Sequence, residues 1–153
     1  MAAYAPPQFG RAEPGVSYRD RPAAFGVAPR DGQIALVRVT ATDTPWFDLP
    51  GGALDPGEDD AQALVREFGE ETGLKVTPGR PIGRADQLFR LNDGEAVNNR
   101  SGVYEARIMG ADPSLKIEAD HELVWIDPAR ALTLLRHDSH AWAVLAWLRA
   151  SAA

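Results

Sequence analysis

The chain has 153 residues, 44% of them apolar and 25% charged, a composition typical of one globular domain with a single hydrophobic core. It contains no cysteine, which excludes disulfides, thiolate metal sites and cysteine nucleophiles. The net charge of −6 argues against binding along duplex nucleic acid, and it also repels phosphorylated small molecules unless a cation intervenes.

The first residues predict a loose lead-in. Residues 1–20 are rich in Pro, Gly and Ala, and we predict a flexible N-terminal segment followed by one domain over residues 21–153. No apolar run approaches the roughly 20 residues that span a bilayer, and the N-terminal sequence lacks the apolar stretch of a signal peptide. We therefore expect a cytoplasmic protein that does not bind membranes.

The predicted elements are mostly strands. Residues 23–39 predict two strands joined at Asp31-Gly32, a favourable hairpin turn, and WFDLP is a short apolar segment after a polar loop. A helix is predicted from about Asp59 to Thr72. Two more strands flank the turn Asn92-Asp93-Gly94, and HELVWI predicts another. PARALTLL and SHAWAVLAWLRA predict two further helices. Strands on both sides of the first helix indicate a mixed sheet covered by helices, an α/β or α+β fold.

The ends of the first predicted helix carry clear signals. Asp59 and Gln62 have the spacing of a capping box, and Gly73 stands where a left-handed C-cap is expected. Gly69 lies inside the helix at a cost of roughly 1 kcal/mol relative to Ala. Close approach of backbone or ligand would explain that glycine.

The acidic residues of this helix share one face. In a projection at about 100° per residue, Glu67, Glu70 and Glu71 lie within one arc, beside an apolar stripe that includes Leu64 and Phe68. Solvated faces usually alternate charges at i and i+4, whereas Glu67 and Glu71 repel each other at that spacing. Clustered carboxylates of this kind bind hard cations such as Mg²⁺ or Mn²⁺. A solvated acidic face is the alternative interpretation.

A longer pattern runs through the same segment: Gly, five residues, Glu, seven residues, Arg-Glu, an apolar residue, any residue, Glu-Glu, any residue, Gly and an apolar residue. Over 23 residues it is filled by Gly52, Glu58, Arg66, Glu67, Phe68, Glu70, Glu71, Gly73 and Leu74. This pattern resembles the Nudix box of the Nudix hydrolase family, with one mild departure, an aromatic residue at Phe68 where an aliphatic one is usual. The resemblance implies an α/β/α sandwich around a mixed sheet, in which the box forms a loop–helix–loop.

The resemblance also implies a reaction. Nudix enzymes hydrolyse a diphosphate linked to a nucleoside or another moiety, by attack of water on phosphorus with the help of divalent ions. By this resemblance Glu67, Glu70 and Glu71 are ligands of Mg²⁺, with Mn²⁺ as a substitute, and the Gly51 carbonyl is a further ligand. Glu67 or Glu70 would also help to deprotonate the water.

Other roles follow from the same resemblance. Arg66 is expected to orient a box glutamate and so to act in catalysis, while Gly52, Glu58 and Gly73 give structural support to the box.

A late acidic residue often completes the metal site in this family. The segment SLKIEADHELVWI offers Glu118, Asp120 and Glu122. Since Glu122 falls inside the predicted strand, Glu118 or Asp120 is preferred, with a solvated loop acid as the alternative.

Five residues outside the box are candidate substrate contacts. Trp46 is expected to stack on a base, arginine side chains to reach phosphates, and asparagine amides to read a purine edge. The candidates are Trp46, Arg21, Arg84, Asn98 and Asn99. Surface arginines and turn-flanking asparagines are the alternative interpretation. The three histidines, at 121, 137 and 140, have no companion ligands in the sequence and are not predicted to bind metal.

The substrate is predicted only by elimination. The signatures of ADP-ribose, dinucleoside-polyphosphate, NADH and coenzyme A hydrolases are not evident around the box, which leaves a nucleoside triphosphate or an oxidised or modified nucleotide. An ADP-ribose, nucleotide-sugar or dinucleotide pyrophosphatase is the alternative. A non-catalytic nucleotide sensor is an alternative of another class, although such modules usually lose box glutamates that are all present here. A small-molecule nucleotide is the expected partner, and a homodimer stays open.

Overall fold

The structure is a computed structural model that describes residues 5–152. This part of the chain contains nine strands and three α-helices. In chain order they are β1 (Gln8–Phe9), β2 (Arg19–Val27), β3 (Pro29–Arg30), β4 (Gln33–Val39), β5 (Trp46–Asp48), β6 (Gly51–Ala53), α1 (Asp60–Thr72), β7 (Leu74–Arg90), β8 (Ala96–Ala111), β9 (His121–Ile126), α2 (Pro128–Leu134) and α3 (Asp138–Ser151). The predicted mixed α+β fold class is confirmed.

The strands form two sheets. The first has the order β1-β7-β8-β2-β6 and is mixed, because β1 with β7 and β2 with β8 run parallel while β7 with β8 and β2 with β6 run antiparallel. In the second sheet β4 pairs with β9 along one edge and with β3 and β5 along the other, all antiparallel. The predicted turn Asn92-Asp93-Gly94 joins β7 to β8.

Helices cover the sheets on two sides and create two apolar cores. Leu64 and Phe68 of α1 are fully buried in one core, together with small residues of the strands. Val144 and Trp147 of α3 belong to the other core, which also receives Phe25 of β2. Side chains of β2 enter both cores, so this strand lies between the helical layers, as the predicted sandwich requires.

Helix α1 begins and ends where its sequence predicts. The Asp59 carboxylate accepts a hydrogen bond from the Gln62 backbone N–H at 2.8 Å, and the Gln62 side chain accepts one from the Asp59 N–H at 3.0 Å, which completes the capping box. At the other end Gly73 has φ 75° and its N–H bonds to the Gly69 carbonyl. The inner glycine, Gly69, lies where an added Cβ would be 3.4 Å from Leu115 of the segment before β9.

One connection differs from the expected chain order. The hairpin at Asp31-Gly32 joins β3 to β4 rather than β2 to β4, because β2 pairs with strands of the other sheet. Both turn residues have positive φ, 52° and 79°, as a tight hairpin requires.

Part of the predicted lead-in, residues 1–20, also has regular structure. Gln8–Phe9 pairs with β7 as β1, the Pro7 carbonyl accepts a hydrogen bond from the Asp86 N–H at 2.9 Å, and β2 already begins at Arg19. Residues 1–4 lie outside the described part. No helix within residues 5–152 has the length and apolar character needed to cross a membrane.

Candidate active site

A cleft of about 430 Å³ lies where the box meets the second sheet, a volume within the usual range for small-ligand sites. Two groups of side chains line it. We call the first the carboxylate cluster, made of Glu67, Glu71, Glu118, Asp120 and His121. We call the second the aromatic cluster, made of Trp46, Asp48, Phe89, Arg136, His137 and His140.

Glu67 is a box glutamate whose carboxylate lies against Gly52 of the loop before the helix. Its side chain is 16% exposed and its carboxylate lies 2.9 Å from Nη1 of Arg66. Burial raises the pKa of Glu67, although Arg66 opposes the rise. A Cβ at Gly52 would come within 2.9 Å of the Glu67 carboxylate, so the glycine leaves this carboxylate its room.

Arg66 connects the box internally. Its guanidinium donates to both oxygens of Glu58 at 2.8 Å, to the Ala53 carbonyl at 3.0 Å and to Glu70 at 3.2 Å. These hydrogen bonds lower the pKa of Glu58 to about 2. Arg66 therefore contacts three box glutamates, Glu58, Glu67 and Glu70, and Glu58 ties the loop to the helix. The Glu70 carboxylate faces Arg66, and Glu70 is not among the described residues that line the cleft.

Glu71 is buried, and both of its carboxylate oxygens have partners. One accepts a hydrogen bond from the Gly51 backbone N–H at 2.8 Å, and the other lies 3.0 Å from Nε2 of His121. The second ring nitrogen of His121 lies 2.9 Å from Asp120. The two carboxylates raise the pKa of His121, because they stabilise its protonated form, whereas burial raises the pKa of Glu71. Because the His121 ring faces two carboxylates, we infer that the proton between His121 and Glu71 resides on the imidazole ring at neutral pH.

The segment before β9 brings further oxygen ligands to the box. The backbone N–H groups of Ile117 and Glu118 both donate to the Glu70 carbonyl at 3.0 Å. Ligand atoms of Glu118, Asp120 and His121 lie within 4.8 Å of one another. Carboxylate oxygens are the ligands that Mg²⁺ and Mn²⁺ prefer, so the carboxylate cluster fits the expected ion.

The third candidate acid, Glu122, points elsewhere. Glu122 lies inside β9, as predicted, with a side chain 61% exposed and paired with Arg38.

The aromatic cluster is organised around Arg136, which lies between α2 and α3. Its guanidinium forms two hydrogen bonds with Asp48, at 2.7 and 3.2 Å, and lies 4.2 Å from the centre of the Trp46 ring. The ring of Phe89 is 5.6 Å away on another side. The Trp46 indole N–H is buried and has no hydrogen-bond acceptor within residues 5–152.

Two buried histidines pack beside this group. The His137 ring lies edge-on to Phe89 at 4.6 Å and to His140 at 5.3 Å, and His140 contacts Phe25 at 4.4 Å. Burial lowers the pKa of His137 to about 2 and that of His140 to about 4, so both rings are neutral at physiological pH.

The predicted substrate contacts divide between the cleft and other places. Trp46, Arg21 and Asn99 line the cleft, and the Arg21 guanidinium donates to the Asn99 side-chain oxygen at 2.9 Å. Arg84 instead pairs with Asp60, and the Asn98 amide pairs with Gln8, so the structure does not bring these two to the cleft.

Sequence reasoning missed the contact of His121 with Glu71 and the whole pairing of Arg136 with Asp48 and Trp46. Their partners are distant in the chain, and no local spacing signals them.

The structure thus combines a mixed α+β sandwich with a glutamate-rich loop–helix–loop that lies beside a carboxylate-lined cleft. The family model described as NUDIX domain matches residues 19–148 of the chain. The chain therefore belongs to the Nudix hydrolase family, and the resemblance of residues 52–74 to the Nudix box is confirmed.

Relatives with assigned names point in the same direction. A putative 8-oxo-dGTP diphosphatase of Bacillus subtilis (strain 168) is 43% identical over 107 residues, which cover 70% of this chain and 66% of that protein. An RNA pyrophosphohydrolase of Sphingopyxis alaskensis is 31% identical over 66% of this chain and 73% of its own length. The putative mutator protein MutT4 of Mycobacterium tuberculosis is 33% identical over 68% of this chain, but the matched region spans only 42% of that protein.

Solved structures show the same fold. A NUDIX hydrolase from Nitrosomonas europaea superposes with a TM-score of 0.72 at 22% identity, over 86% of this chain and 90% of the other.

Proposed function

We propose that this protein is a Mg²⁺-dependent hydrolase that cleaves the diphosphate linkage of a nucleoside triphosphate, or of an oxidised or modified nucleotide. The observation that carries the proposal is the carboxylate cluster. Residues of helix α1 and of the segment before β9, far apart in the chain, bring their acidic groups to one cleft next to Arg21.

The carboxylate cluster gives the ion a set of hard oxygen ligands. Glu67, Glu71, Glu118 and Asp120 would hold it, and the Gly51 backbone lies against Glu71. A bound divalent ion neutralises phosphate oxygens and makes water easier to deprotonate. Without it, these acids and the polyanionic substrate would repel each other.

Glu67 is the better placed of the two candidate bases. Both carboxylates contact Nη1 of Arg66, but Glu67 lines the cleft and Glu70 does not. In the proposed step the oxygen of a water molecule attacks a phosphorus atom, the bond from that phosphorus to the bridging oxygen breaks, and the Glu67 carboxylate accepts the water proton. The leaving group departs with the bridging oxygen. Arg21 is positioned to bind a phosphate oxygen, since it lines the same cleft.

The names of the relatives support nucleotide substrates. Besides the 8-oxo-dGTP diphosphatase and the RNA pyrophosphohydrolase, a CTP pyrophosphohydrolase of Escherichia coli K12 is 28% identical over 69% of this chain. ADP-ribose and dinucleotides stay the alternative substrates, and a non-catalytic nucleotide sensor is the alternative without chemistry.

Turnover of a nucleotide panel tests the proposal. Nucleoside triphosphates, 8-oxo-dGTP, ADP-ribose, a dinucleoside tetraphosphate and a triphosphorylated RNA oligomer are incubated with the protein and Mg²⁺, and released phosphate and pyrophosphate are measured. Triphosphates should be hydrolysed, and EDTA should abolish the reaction. Full turnover in EDTA, or none on any compound with Mg²⁺, would refute the proposal.

A matched pair of variants assigns the chemistry to the cleft. Glu67→Gln keeps the size of the side chain and removes its charge, so kcat should fall at least ~100-fold. Glu122→Gln makes the same change on an exposed side chain outside the cleft and should retain wild-type turnover. Equal activity of the two variants would remove Glu67 from the mechanism.

A further inference from the structure

In the aromatic cluster the carboxylate oxygens are engaged by a neighbouring side chain, whereas some N–H donors have no partner among the described residues. Asp48 is the one carboxylate of this cluster, and each of its two oxygens accepts a hydrogen bond from Arg136. In these two hydrogen bonds Arg136 donates from Nε and Nη2. The N–H groups of Nη1, on the other edge of the guanidinium, are not engaged by Asp48. Nη1 has no acceptor within residues 5–152.

The tautomer of His140 is fixed by the backbone. The Leu49 N–H donates to Nδ1 of His140 at 3.1 Å, so Nδ1 must carry a lone pair. A neutral ring with a free Nδ1 carries its proton on Nε2. His140 is 2% exposed and lines the cleft, and its Nε2–H finds no acceptor in the described part of the chain.

Asn99 also lines the cleft and offers donors. Asn99 is buried and its oxygen accepts from Arg21, which leaves its amide N–H groups. The Trp46 indole N–H is buried without an acceptor within residues 5–152, so Trp46 meets the cleft with its ring and not with its N–H donor. Arg136, His140 and Asn99 therefore offer N–H donors to the cleft, and Asp48 is engaged by Arg136. The neutral His137 ring adds one donor and one lone pair, so donors predominate among these side chains.

We propose that the aromatic cluster binds the base of the substrate and selects keto bases, such as guanine, hypoxanthine, uracil or thymine, over their amino counterparts. This inference rests on the proposed function and names the substrate class of the same cleft. The rings of Trp46, Phe89 and Phe25 give the flat apolar walls that a base needs. A ring carbonyl accepts from the N–H groups of Arg136 and His140, whereas an exocyclic amino group in its place sets donor against donor.

A phosphate group also accepts hydrogen bonds, but it fits this wall less well. The charge of Arg136 is already compensated by Asp48 at 2.7 Å, and the neighbouring histidines are neutral. The opposite wall of the cleft, with the carboxylate cluster and its cation, is where phosphates are expected. A neutral base with carbonyl oxygens is the better match for a wall of donors without net charge.

Matched nucleotide pairs test the selection. Inosine triphosphate and ATP differ in a carbonyl or an amino group at position 6 of the purine, and UTP and CTP differ in the same way at position 4 of the pyrimidine. With the full chain and Mg²⁺, kcat/KM should favour the keto member of each pair by at least ~10-fold, because the amino group of the other member sets donor against donor. A ratio near one, or a preference for ATP and CTP, would overturn the inference.

A double variant assigns the preference to the guanidinium. Asp48→Leu combined with Arg136→Met removes the donors without leaving an unpaired carboxylate or adding a new N–H group. It should bring both ratios toward one, mainly through KM. Arg149→Met is the control, since Arg149 is exposed near the end of α3 and outside the cleft lining, and it should keep both ratios. If the double variant weakens all four nucleotides equally, Arg136 binds phosphate and the base assignment is wrong.

Binding separates this inference from the proposed function. If none of the four nucleotides is hydrolysed, the proposed triphosphatase activity fails, but calorimetric titration with inosine triphosphate and ATP still measures the base preference. Tighter binding of inosine triphosphate supports the donor wall even then. Equal binding of the two refutes it, whether or not the protein turns them over.

Discussion

The absence of a side chain at Gly52 leaves space for the Glu67 carboxylate. An added Cβ would approach the Glu67 carboxylate to 2.9 Å, and that carboxylate is the proposed base. The contact is with the mobile end of a long side chain, and the backbone at Gly52 is not in the left-handed region. Relief is therefore available by moving Glu67, without unfolding the loop.

Gly52→Ala should thus reduce activity far more than stability. We expect kcat to fall by about 10-fold or more, because a small misplacement of a catalytic group costs rate steeply, while the melting temperature stays within a few degrees. Gly110→Ala is the control, because a Cβ there meets no atom within 4 Å and it should change neither quantity. A Gly52→Ala protein with full activity would show that Glu67 moves freely without consequence for the chemistry.

His121 shows the limit of reading single residues from sequence. The sequence gave no sign that it pairs with Glu71, yet β9 places its ring between Glu71 and Asp120. Glu71 lies on α1, and only the pairing of β9 with β4 and the position of the preceding segment bring the two together. Contacts of this range depend on tertiary packing, which no local pattern encodes.

At the scale of elements, helix α1 was predictable because its information is local. Capping spacing, the C-terminal glycine and the apolar stripe all lie within residues 59–73. The segment before β9 was harder, since it has no periodicity, and its docking on the Glu70 carbonyl uses backbone N–H groups that any sequence has. The choice between Glu118 and Asp120 therefore stayed open in the sequence, and the structure places both in the cleft.

The apolar face of α1 gives an element-scale prediction. Phe68 is fully buried in the core beneath the helix, so Phe68→Ala should lower the free energy of unfolding by about 3–5 kcal/mol. Val65→Ala is the matched control on the same helix, because Val65 is 43% exposed and should change stability by less than about 1 kcal/mol. Urea unfolding of the metal-free proteins measures both. Similar losses for the two variants would mean that the buried and exposed faces of α1 are not as described.

At the scale of the whole molecule, the fold class and the box were predictable, but the wall opposite the box was not. The aromatic cluster combines β5, the end of β7 and the junction of α2 and α3, three regions far apart in the chain. Trp46 alone was a candidate from sequence, because it precedes the box. Arg84 and Asn98 were candidates because an arginine can reach phosphates and an asparagine amide can read a purine edge. Side chains alternate between the two faces of β7 and β8. Arg84 pairs with Asp60 and Asn98 pairs with Gln8, so neither side chain points into the cleft.

The two buried histidines make the stability of the whole molecule depend on pH. Burial lowers the pKa of His137 to about 2 and of His140 to about 4, below the value of about 6.5 expected in the unfolded chain. Below pH 6.5 the unfolded state therefore binds protons that the folded state does not. The stability contributed by the neutral rings is complete above about pH 6.5 and is lost as the pH falls toward the folded values. Glu71 acts in the opposite sense, because burial raises its pKa.

Removing one histidine isolates its share of this slope. His137→Asn keeps a residue that suits the start of α3 but does not titrate. Between pH 5.5 and 4.5, in EDTA and at constant ionic strength, the wild type should lose about 1 kcal/mol per pH unit more than the variant, because one proton is taken up on unfolding. Urea unfolding at several pH values measures the difference, and Thr133→Ala, an exposed change on α2, should run parallel to the wild type. Parallel curves for His137→Asn and the wild type would mean that His137 titrates in the folded protein as it does in the unfolded chain, and that its ring is open to water.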